Sequence, residues 1–249
     1  MKGIILAGGL GSRLYPLTYA TNKHLLPVYD KPMIYYPIQT LVRAGIKEVL
    51  IIVSGPHSGH FIPVLKNGKE FGVEHIEFAY QEKPDGGIAD ALAIAKSFAE
   101  KDAMTVILGD NTTDADISAP VQSFKSGASI FLKKVPNPTK YGVPRFDEKD
   151  KSKIVEIVEK PKNPPSDYAV TGVYIYDTNV FEVIKTCKPS WRGELEITDV
   201  NNAYLKQGKL SWAELNGYWL DAGSFDTLYL ANRYWSEKRN PDIKNISIA

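Results

Sequence analysis

The chain of 249 residues is 43% hydrophobic and 24% charged, so it can bury one large core and is neither disordered nor fibrous. Its 30 Lys and Arg residues balance 29 Asp and Glu residues to a formal charge of +1, which excludes a global basic field for nucleic acid or an anionic membrane. The only cysteine is Cys187, so neither an intramolecular disulfide nor a thiolate metal cage can form.

The amino terminus has one lysine and then a short apolar run, without the core or the cleavage pattern of a signal peptide. No apolar run in the sequence reaches the length that spans a membrane. We therefore expect a soluble cytoplasmic protein that binds neither nucleic acid nor membrane.

The first predicted strand leads into a glycine-rich loop. Residues 3–7 form a short apolar run, which predicts a buried parallel strand, and residues 8–13 (GGLGSR) follow at its carboxyl end, where open α/β sheets bind ligands. Glycines let backbone N–H groups approach an anion, and Arg13 and Lys23 add cations suited to phosphate oxygens. The loop therefore predicts a polyphosphate site, although the glycines alone fit a tight strand-to-helix connection equally well.

Two common phosphate motifs do not fit this loop. The dinucleotide fingerprint needs a third glycine, and Leu14 stands at that position. A Walker-type Gly-Lys-Ser/Thr sequence occurs nowhere in the chain.

The first half of the chain alternates strand and helix patterns. The predicted strands are 3–7, 48–53, 76–80 and 105–108, and the predicted helices are 32–44, 57–66 and 89–100. The first and fourth strands both end in glycine and polar residues, so we expect them to face one crevice.

The second half has strands separated by Pro and Asn residues and is predicted to be mixed. The predicted strands are 129–134, 141–146, 154–159, 169–176 and 210–215, and the predicted helices are 179–186, 196–207 and 225–238. The sequence contains no internal repeat, low-complexity tract or linker, so residues 1–249 are expected to form a single domain.

Two aspartates are predicted at strand ends. Asp110 follows an apolar strand and a glycine, and Asp221 follows Trp219 and Leu220. A pair of such carboxylates suits Mg²⁺, which prefers a few carboxylate oxygens together with phosphates and water. Taken singly, each aspartate is better interpreted as the cap of a loop or helix.

Further polar residues follow other strands. The amide of Gln81 could pair with a base edge, Lys160 could hold a second phosphate, and Glu159 could accept hydrogen bonds from sugar hydroxyls. Each of these also fits an exposed turn. Glu194 and Glu196 fit the start of a helix.

Long ordered segments of the chain resemble the glucose-1-phosphate thymidylyltransferases, and the resemblance covers nearly the whole chain. The segments are GGLGSRLYP at 8–16, NKHLLP at 22–27, DKPMIYYP at 30–37, LGDN at 108–111, YAVTG at 168–172, RGELEITD at 192–199 and WLDAG at 219–223.

The resemblance implies an α/β fold: a Rossmann-like mixed, mainly parallel sheet with flanking helices and an inserted sugar-binding β-rich part. It divides the single domain into a nucleotide-binding half, about 1–115, and a sugar-binding half with the C-terminal helix, about 116–249. The implied reaction uses Mg²⁺ and joins dTTP to glucose 1-phosphate, giving dTDP-glucose and pyrophosphate by direct attack of the sugar phosphate on the α-phosphorus. It also implies a homo-oligomer. Two alternatives are UTP or another sugar 1-phosphate as substrate, and a non-catalytic protein that binds sugar nucleotides.

The resemblance also assigns residues to roles. It makes Arg13, Lys23 and Asp110 catalytic, and Asp110 and Asp221 metal ligands. The implied nucleotide-binding residues are Leu6, Gly8, Gly9, Gly11, Ser12, Arg13, Lys23, Gln81, Pro84, Gly86, Gly87 and Asp110. The implied sugar-phosphate-binding residues are Tyr141, Gly142, Glu159, Lys160, Thr171 and Val173.

The chain departs from the family at a few positions. His24 and Asp90 stand where these enzymes commonly have glutamine, and Thr112 and Thr113 replace an apolar-aromatic pair. The segment after residue 239 is shorter than in longer family members and is predicted to be an extended arm. On that basis we expect downstream dTDP-sugars to inhibit at the active site and not at a second site.

Overall fold

The computed structural model describes residues 1–245 and is built around a seven-stranded sheet. The strands, in chain order, are β1 (Lys2–Ala7), β2 (Pro27–Val28), β3 (Lys31–Pro32), β4 (Glu48–Val53), β5 (His75–Tyr80), β6 (Met104–Leu108), β7 (Asn111–Thr113), β8 (Ala128–Lys134), β9 (Gly142–Phe146), β10 (Ile154–Glu159), β11 (Tyr168–Tyr176), β12 (Leu210–Glu214) and β13 (Trp219–Asp221).

Most of the helices pack on the two faces of this sheet. The helices are α1 (Tyr35–Arg43), α2 (Phe61–Leu65), α3 (Ile88–Ala93), α4 (Lys96–Ala99), α5 (Ser118–Ser123), α6 (Val180–Thr186), α7 (Ile197–Lys206) and α8 (Phe225–Arg239). Short 3-10 turns lie between them, including Ser12–Leu14 and Lys23–Leu25 beside the glycine-rich loop. Among residues 1–245, no helix is long and apolar enough to cross a membrane.

The large sheet is mixed and mainly parallel, with strand order β12-β8-β11-β6-β1-β4-β5. β1 runs parallel to β4 and β6, and β4 to β5, whereas β11 is antiparallel to both β6 and β8. β11 therefore joins the strands of the first half to those of the second. The predicted fold class is confirmed.

The core lies on both faces of the sheet. Ile4, Val106 and Tyr174 pack on one face, and Ile5 and Ile107 pack on the other. Every residue of β1 is buried, which is why its sequence reads as a continuous apolar run and not as an alternating one.

Most predicted elements are observed, but the sequence missed a short ribbon. β13 pairs antiparallel with β7, so that Asp221 stands opposite Asn111. Three-residue strands are too short to show a periodicity, and their pairing joins segments about a hundred residues apart. The elements β2, β3 and α5 were also missed, because they too are short.

Two other expectations need correction. The predicted helix 89–100 is divided into α3 and α4. The expected extended arm is wrong for Pro241–Asn245, which forms a 3-10 turn; the rest of that segment, 246–249, lies outside the described residues. Proline suits the first position of a helical turn, and the side chain of Asn240 accepts a hydrogen bond from the Asp242 amide.

Candidate active site

A cavity of about 530 Å³ opens at the carboxyl ends of β1 and β6, as expected for ligands of an open α/β sheet. Its lining comes from both halves of the chain. The predicted site residues among its lining are Leu6, Gly8, Gly9, Arg13, Lys23, Gln81, Pro84, Gly87, Asp110, Tyr141, Gly142, Glu159, Lys160 and Asp221.

The glycine-rich loop packs against two polar side chains. A Cβ added to Gly8 would lie 2.6 Å from Gln81 Oε1, and one added to Gly11 would lie 2.9 Å from Lys23 Cβ. Gly11 also has φ +71°, a backbone conformation that side chains disfavour. The glycines thus allow Lys23 and Gln81 to approach the loop closely.

A buried ion pair joins the loop region to β6. Lys23 Nζ donates to Asp110 Oδ2 at 2.5 Å, and both side chains are about nine-tenths buried. Burial by itself would raise the pKa of Asp110, but the Lys23 charge and the hydrogen bonds from Lys23 and Asn111 together outweigh it and hold that pKa well below its ordinary value. Asp110 is therefore ionised at neutral pH.

Asn111 orients Asp110 and ties three strands together. Its Nδ2 donates to Asp110 Oδ1 at 3.0 Å. Its Oδ1 accepts from the indole N–H of Trp219 at 2.6 Å and from the Gly172 amide at 3.1 Å. These bonds fix Asp110 relative to β11 and β13.

Asp221 lies beside Asp110 because of the β7–β13 ribbon. Burial, and then the charge of Asp110, raise the pKa of Asp221 to about 6, against the opposing effect of Lys23 and Arg13. Arg13 is 4.0 Å from Asp221, and the Gly223 amide donates to Asp221 at 2.8 Å.

The pair Asp110 and Asp221 fits a hard divalent cation. A Cβ at Gly223 would lie 2.7 Å from Asp221 Oδ1 and 3.3 Å from Asp110 Oδ2, so both carboxylates border the same small space. Among residues 1–245 no group of three or more His, Cys, Asp or Glu residues could hold a metal ion. Two carboxylates suit Mg²⁺, which completes its shell with phosphates and water.

Several residues predicted for the sugar side belong to a charged cluster in the lining of the cavity. Glu159 accepts from Thr198 Oγ1 at 2.6 Å and lies 3.3 Å from Lys160 Nζ and 3.9 Å from Arg192. Arg192 also contacts Glu194 and Glu196. The cluster offers both cations and carboxylate acceptors to a ligand.

Two predicted sugar-phosphate residues do not lie in this cavity. Thr171 is buried and donates to the Phe131 carbonyl at 2.9 Å, and Val173 packs in the apolar core on the other face of the sheet. The residues of β11 that line the cavity are Val170, Gly172 and Tyr174. Alternate side chains of a strand face opposite sides, so the side chains of Thr171 and Val173 point away from the cavity.

Three residues predicted to bind the nucleotide, Gly11, Ser12 and Gly86, lie in loops that border the cavity but do not line it themselves.

Several lining residues were not assigned a role from the sequence: His24, Lys140, Tyr174, Arg192, Glu196, Thr198 and Trp219. His24 is fully buried, and burial together with the Lys23 charge lowers its pKa to about 3, so the ring is neutral. Three of these residues, Arg192, Glu196 and Thr198, could have been predicted from the sequence, because segment 192–199 is one of those that resemble the family.

Thr112 and Thr113, which differ from the family pattern, do not line the cavity. The hydroxyl of Thr113 donates to the Tyr218 carbonyl at 2.5 Å, and that of Thr112 donates to the Leu220 carbonyl at 3.4 Å. Both therefore stabilise the β7–β13 ribbon.

Comparisons with known proteins agree with this geometry. The Nucleotidyl transferase family model matches residues 2–238. A glucose-1-phosphate thymidylyltransferase of Neisseria meningitidis serogroup A is 44% identical over the whole of this chain and 86% of its own length.

Solved structures show the same fold. A candidate glucose-1-phosphate thymidylyltransferase from Bacillus anthracis, in complex with sucrose, shares 50% identity at a TM-score of 0.88, covering 94% of each chain. A UDP-glucose pyrophosphorylase complexed with UDP-glucose has a TM-score of 0.81 at 23% identity, covering 96% of this chain and 99% of its own, and this shows the fold alone.

Proposed function

This chain belongs to the nucleotidyl transferase family, and on that premise we propose that it transfers a thymidylyl group from dTTP to glucose 1-phosphate, releasing pyrophosphate and dTDP-glucose. The observation that carries the proposal is the single cavity in which the glycine-rich loop, the Asp110–Asp221 pair and the Glu159–Arg192 cluster meet. A nucleotide at the loop and a sugar phosphate at the cluster would lie side by side.

The nucleophile needs no activation. A phosphate monoester dianion is already a competent nucleophile near neutral pH, so its oxygen attacks the α-phosphorus directly and pyrophosphate leaves. What the protein must supply is positioning and neutralisation of charge, since two anionic substrates repel each other. The site has the groups for this task.

The cations divide between the two substrates. Arg13 and Lys23, beside the glycine-rich loop, bind the nucleotide phosphates and stabilise the charge on the α-phosphoryl group. Lys160 and Arg192 bind the sugar phosphate, and Glu159 accepts hydrogen bonds from sugar hydroxyls. When the nucleotide binds, Lys23 leaves its ion pair with Asp110 and pairs with a phosphate oxygen.

Asp110 and Asp221 would hold Mg²⁺. When bound, the ion supplies charge neutralisation between the nucleotide phosphates and the two carboxylates. A bound cation would also offset the repulsion between Asp110 and Asp221, which after burial is the second cause of the raised pKa of Asp221. Asn111 orients the Asp110 carboxylate for this role through the bond from its amide.

The base would lie against Gln81, beside the backbone of Gly87 and the ring of Pro84; this proposal is supported by the presence of all three residues in the lining of the cavity. An amide can both donate to and accept from a base edge. The sugar side is completed by Tyr141 and Gly142, and by Gly172 in place of its neighbours Thr171 and Val173.

A substrate panel tests the proposal. Pyrophosphate release is measured for dTTP, UTP and dCTP, each with glucose 1-phosphate or another sugar 1-phosphate, with Mg²⁺ and with a chelator. We expect the highest kcat/KM for dTTP with glucose 1-phosphate, and no turnover in chelator. Turnover only with another pair would overturn the substrates and keep the reaction, whereas tight nucleotide binding without turnover would support a non-catalytic sugar-nucleotide-binding protein.

A further inference from the structure

Asp90 is bonded to the residue proposed to contact the base. It lies in the first turn of α3, half-buried, and its Oδ2 accepts from Gln81 Nε2 at 2.8 Å. The same nitrogen lies 3.4 Å from the Gly87 carbonyl oxygen. Gln81 itself is only 3% exposed. Two acceptors therefore face the nitrogen of a buried amide.

This arrangement fixes which end of the Gln81 amide faces the ligand. A carboxylate accepts hydrogen bonds and has none to donate, and the same is true of a carbonyl oxygen. Turning the amide over would place its oxygen against both of these oxygens and leave all three unpaired. With aspartate at position 90, only one orientation of Gln81 is satisfied.

The oxygen of the amide is consequently held over the glycine-rich loop. A Cβ added to Gly8 would lie only 2.6 Å from Gln81 Oε1, so this oxygen occupies the space that a side chain at Gly8 would need. Both residues line the cavity. Within the described part of the chain, no donor is bonded to this oxygen. It is a free acceptor at the nucleotide end of the site.

A fixed acceptor distinguishes pyrimidine bases. Thymine and uracil carry a ring N–H between two carbonyl groups, and this N–H can donate to Oε1. Cytosine has a lone pair on the same ring nitrogen, so two acceptors would face each other out of water. An unsatisfied buried acceptor of this kind lowers affinity about tenfold or more.

We propose that Asp90 is a positioning residue for nucleotide selection: it holds the Gln81 amide with Oε1 toward the base, so that the site takes a base with an imide N–H and rejects cytosine. Asp90 acts through Gln81 and does not contact the base. This inference rests on the proposed function and assigns the nucleotide discrimination within it to a residue that departs from the family pattern.

The test compares kcat/KM for dTTP and dCTP, with glucose 1-phosphate, in wild type, D90N and D90E. Asparagine can present either its oxygen or its NH₂ to Gln81, so a turned amide would be opposed only by the Gly87 carbonyl oxygen, the more distant of the two acceptors. We expect the dTTP-to-dCTP ratio to fall about tenfold in D90N, mainly through KM. D90E keeps an acceptor without a donor and is expected to retain most of the ratio.

A matched control is E82Q. Glu82 is exposed in the loop that precedes α3, and no side-chain hydrogen bond joins it to Gln81 among the described residues. E82Q therefore removes the same charge as D90N, and its dTTP-to-dCTP ratio should equal that of wild type. Thermal melting checks that each variant folds, and D90Q, whose side chain is also an amide, replaces D90N if D90N does not fold.

Three results would overturn the inference while leaving the reaction intact: equal losses for both nucleotides in D90N, a loss of the ratio in D90E that matches D90N, or an equal loss in E82Q. If none of the tested nucleotides gives pyrophosphate with the wild-type enzyme, the proposed function fails instead. Calorimetric binding of dTTP and dCTP to wild type and D90N then supplies the ratio.

Discussion

Four charged side chains of opposite sign stand next to each other where the nucleotide phosphates are proposed to bind. Lys23 and Asp110 form a short buried pair, while Arg13, which is 59% exposed, lies 4.0 Å from Asp221. An exposed pair at that distance contributes little to stability, whereas loss of one partner of a buried pair is costly. Lys23 therefore has a structural role in addition to its proposed catalytic one, and Arg13 is free to move to a ligand.

Asp221→Asn tests the proposed metal site. Loss of one of two carboxylate ligands should raise the Mg²⁺ concentration for half-maximal activity about tenfold or more. Without Mg²⁺ the free energy of unfolding should be unchanged or higher, since the change removes a negative charge next to Asp110. Activity titrated against Mg²⁺ and urea denaturation in chelator measure the two effects. A variant with wild-type activity at limiting Mg²⁺ would exclude Asp221 as a ligand.

At the scale of elements, β11 has two functions. Its antiparallel pairing joins β6 to β8, and its residues Val170, Gly172 and Tyr174 line the cavity. The ladder has an irregularity between Val170 and Tyr174, next to the Gly172 amide that donates to Asn111. The strand thus supports the residue that orients Asp110.

Gly172→Ala is expected to damage both the fold and the site. Its Cβ would lie 2.6 Å from Asn111 Oδ1 and 2.7 Å from Leu108 Cγ, so at least one of these side chains would have to shift. Overpacking of this kind costs about 1–3 kcal/mol. We expect a lower free energy of unfolding in urea and a lower kcat, because Asn111 no longer orients Asp110.

Gly59→Ala is the matched control for this substitution. Its added Cβ would meet no atom within 4 Å, and its backbone conformation is open to side chains. Its stability should lie within about 0.5 kcal/mol of wild type. If Gly172→Ala behaved in the same way, the Asn111 anchor would not depend on close packing at β11.

For the whole molecule, the arrangement of the large sheet bears on the domain organisation. β12, β8 and β11 come from the second half of the chain, and β6, β1, β4 and β5 come from the first, yet they form one ladder. The core on each face is also shared, since Ile107 of β6 packs in the same cluster as Val173 of β11. A boundary near residue 115 would therefore pass through one sheet and one core.

We predict that the two halves unfold together. All four tryptophans, Trp191, Trp212, Trp219 and Trp235, lie in the second half, so their fluorescence reports on that half, while far-UV circular dichroism reports on the whole chain. Urea transitions followed by the two probes should coincide. A fluorescence transition at a lower urea concentration than the loss of helix and strand signal would show that the halves are separate domains.

The sequence by itself determined the elements and the chemistry available to them. Runs such as residues 48–53 have the apolar, β-branched composition and the length of buried strands, which are local properties. The glycine-rich loop with Arg13 predicted an anion site from residue types alone. The expected order of the longer strands and helices in the first half was confirmed, except that helix 89–100 is divided; the short strands β2, β3 and β7 were missed. The family resemblance then supplied the fold class.

Only the tertiary structure decided which side chains meet. The β7–β13 ribbon, which brings Asp221 beside Asp110, depends on two three-residue segments that find each other across the chain. The side chains of Thr171 and Val173, predicted to bind the sugar phosphate, point away from the cavity, because successive residues of a strand face opposite sides and only the pairing of β11 sets which side each one faces. The bond from Gln81 to Asp90 likewise depends on a loop returning to its own helix, where two polar atoms satisfy each other out of water. Such contacts depend on the path of the chain in three dimensions, which residue type and spacing do not encode.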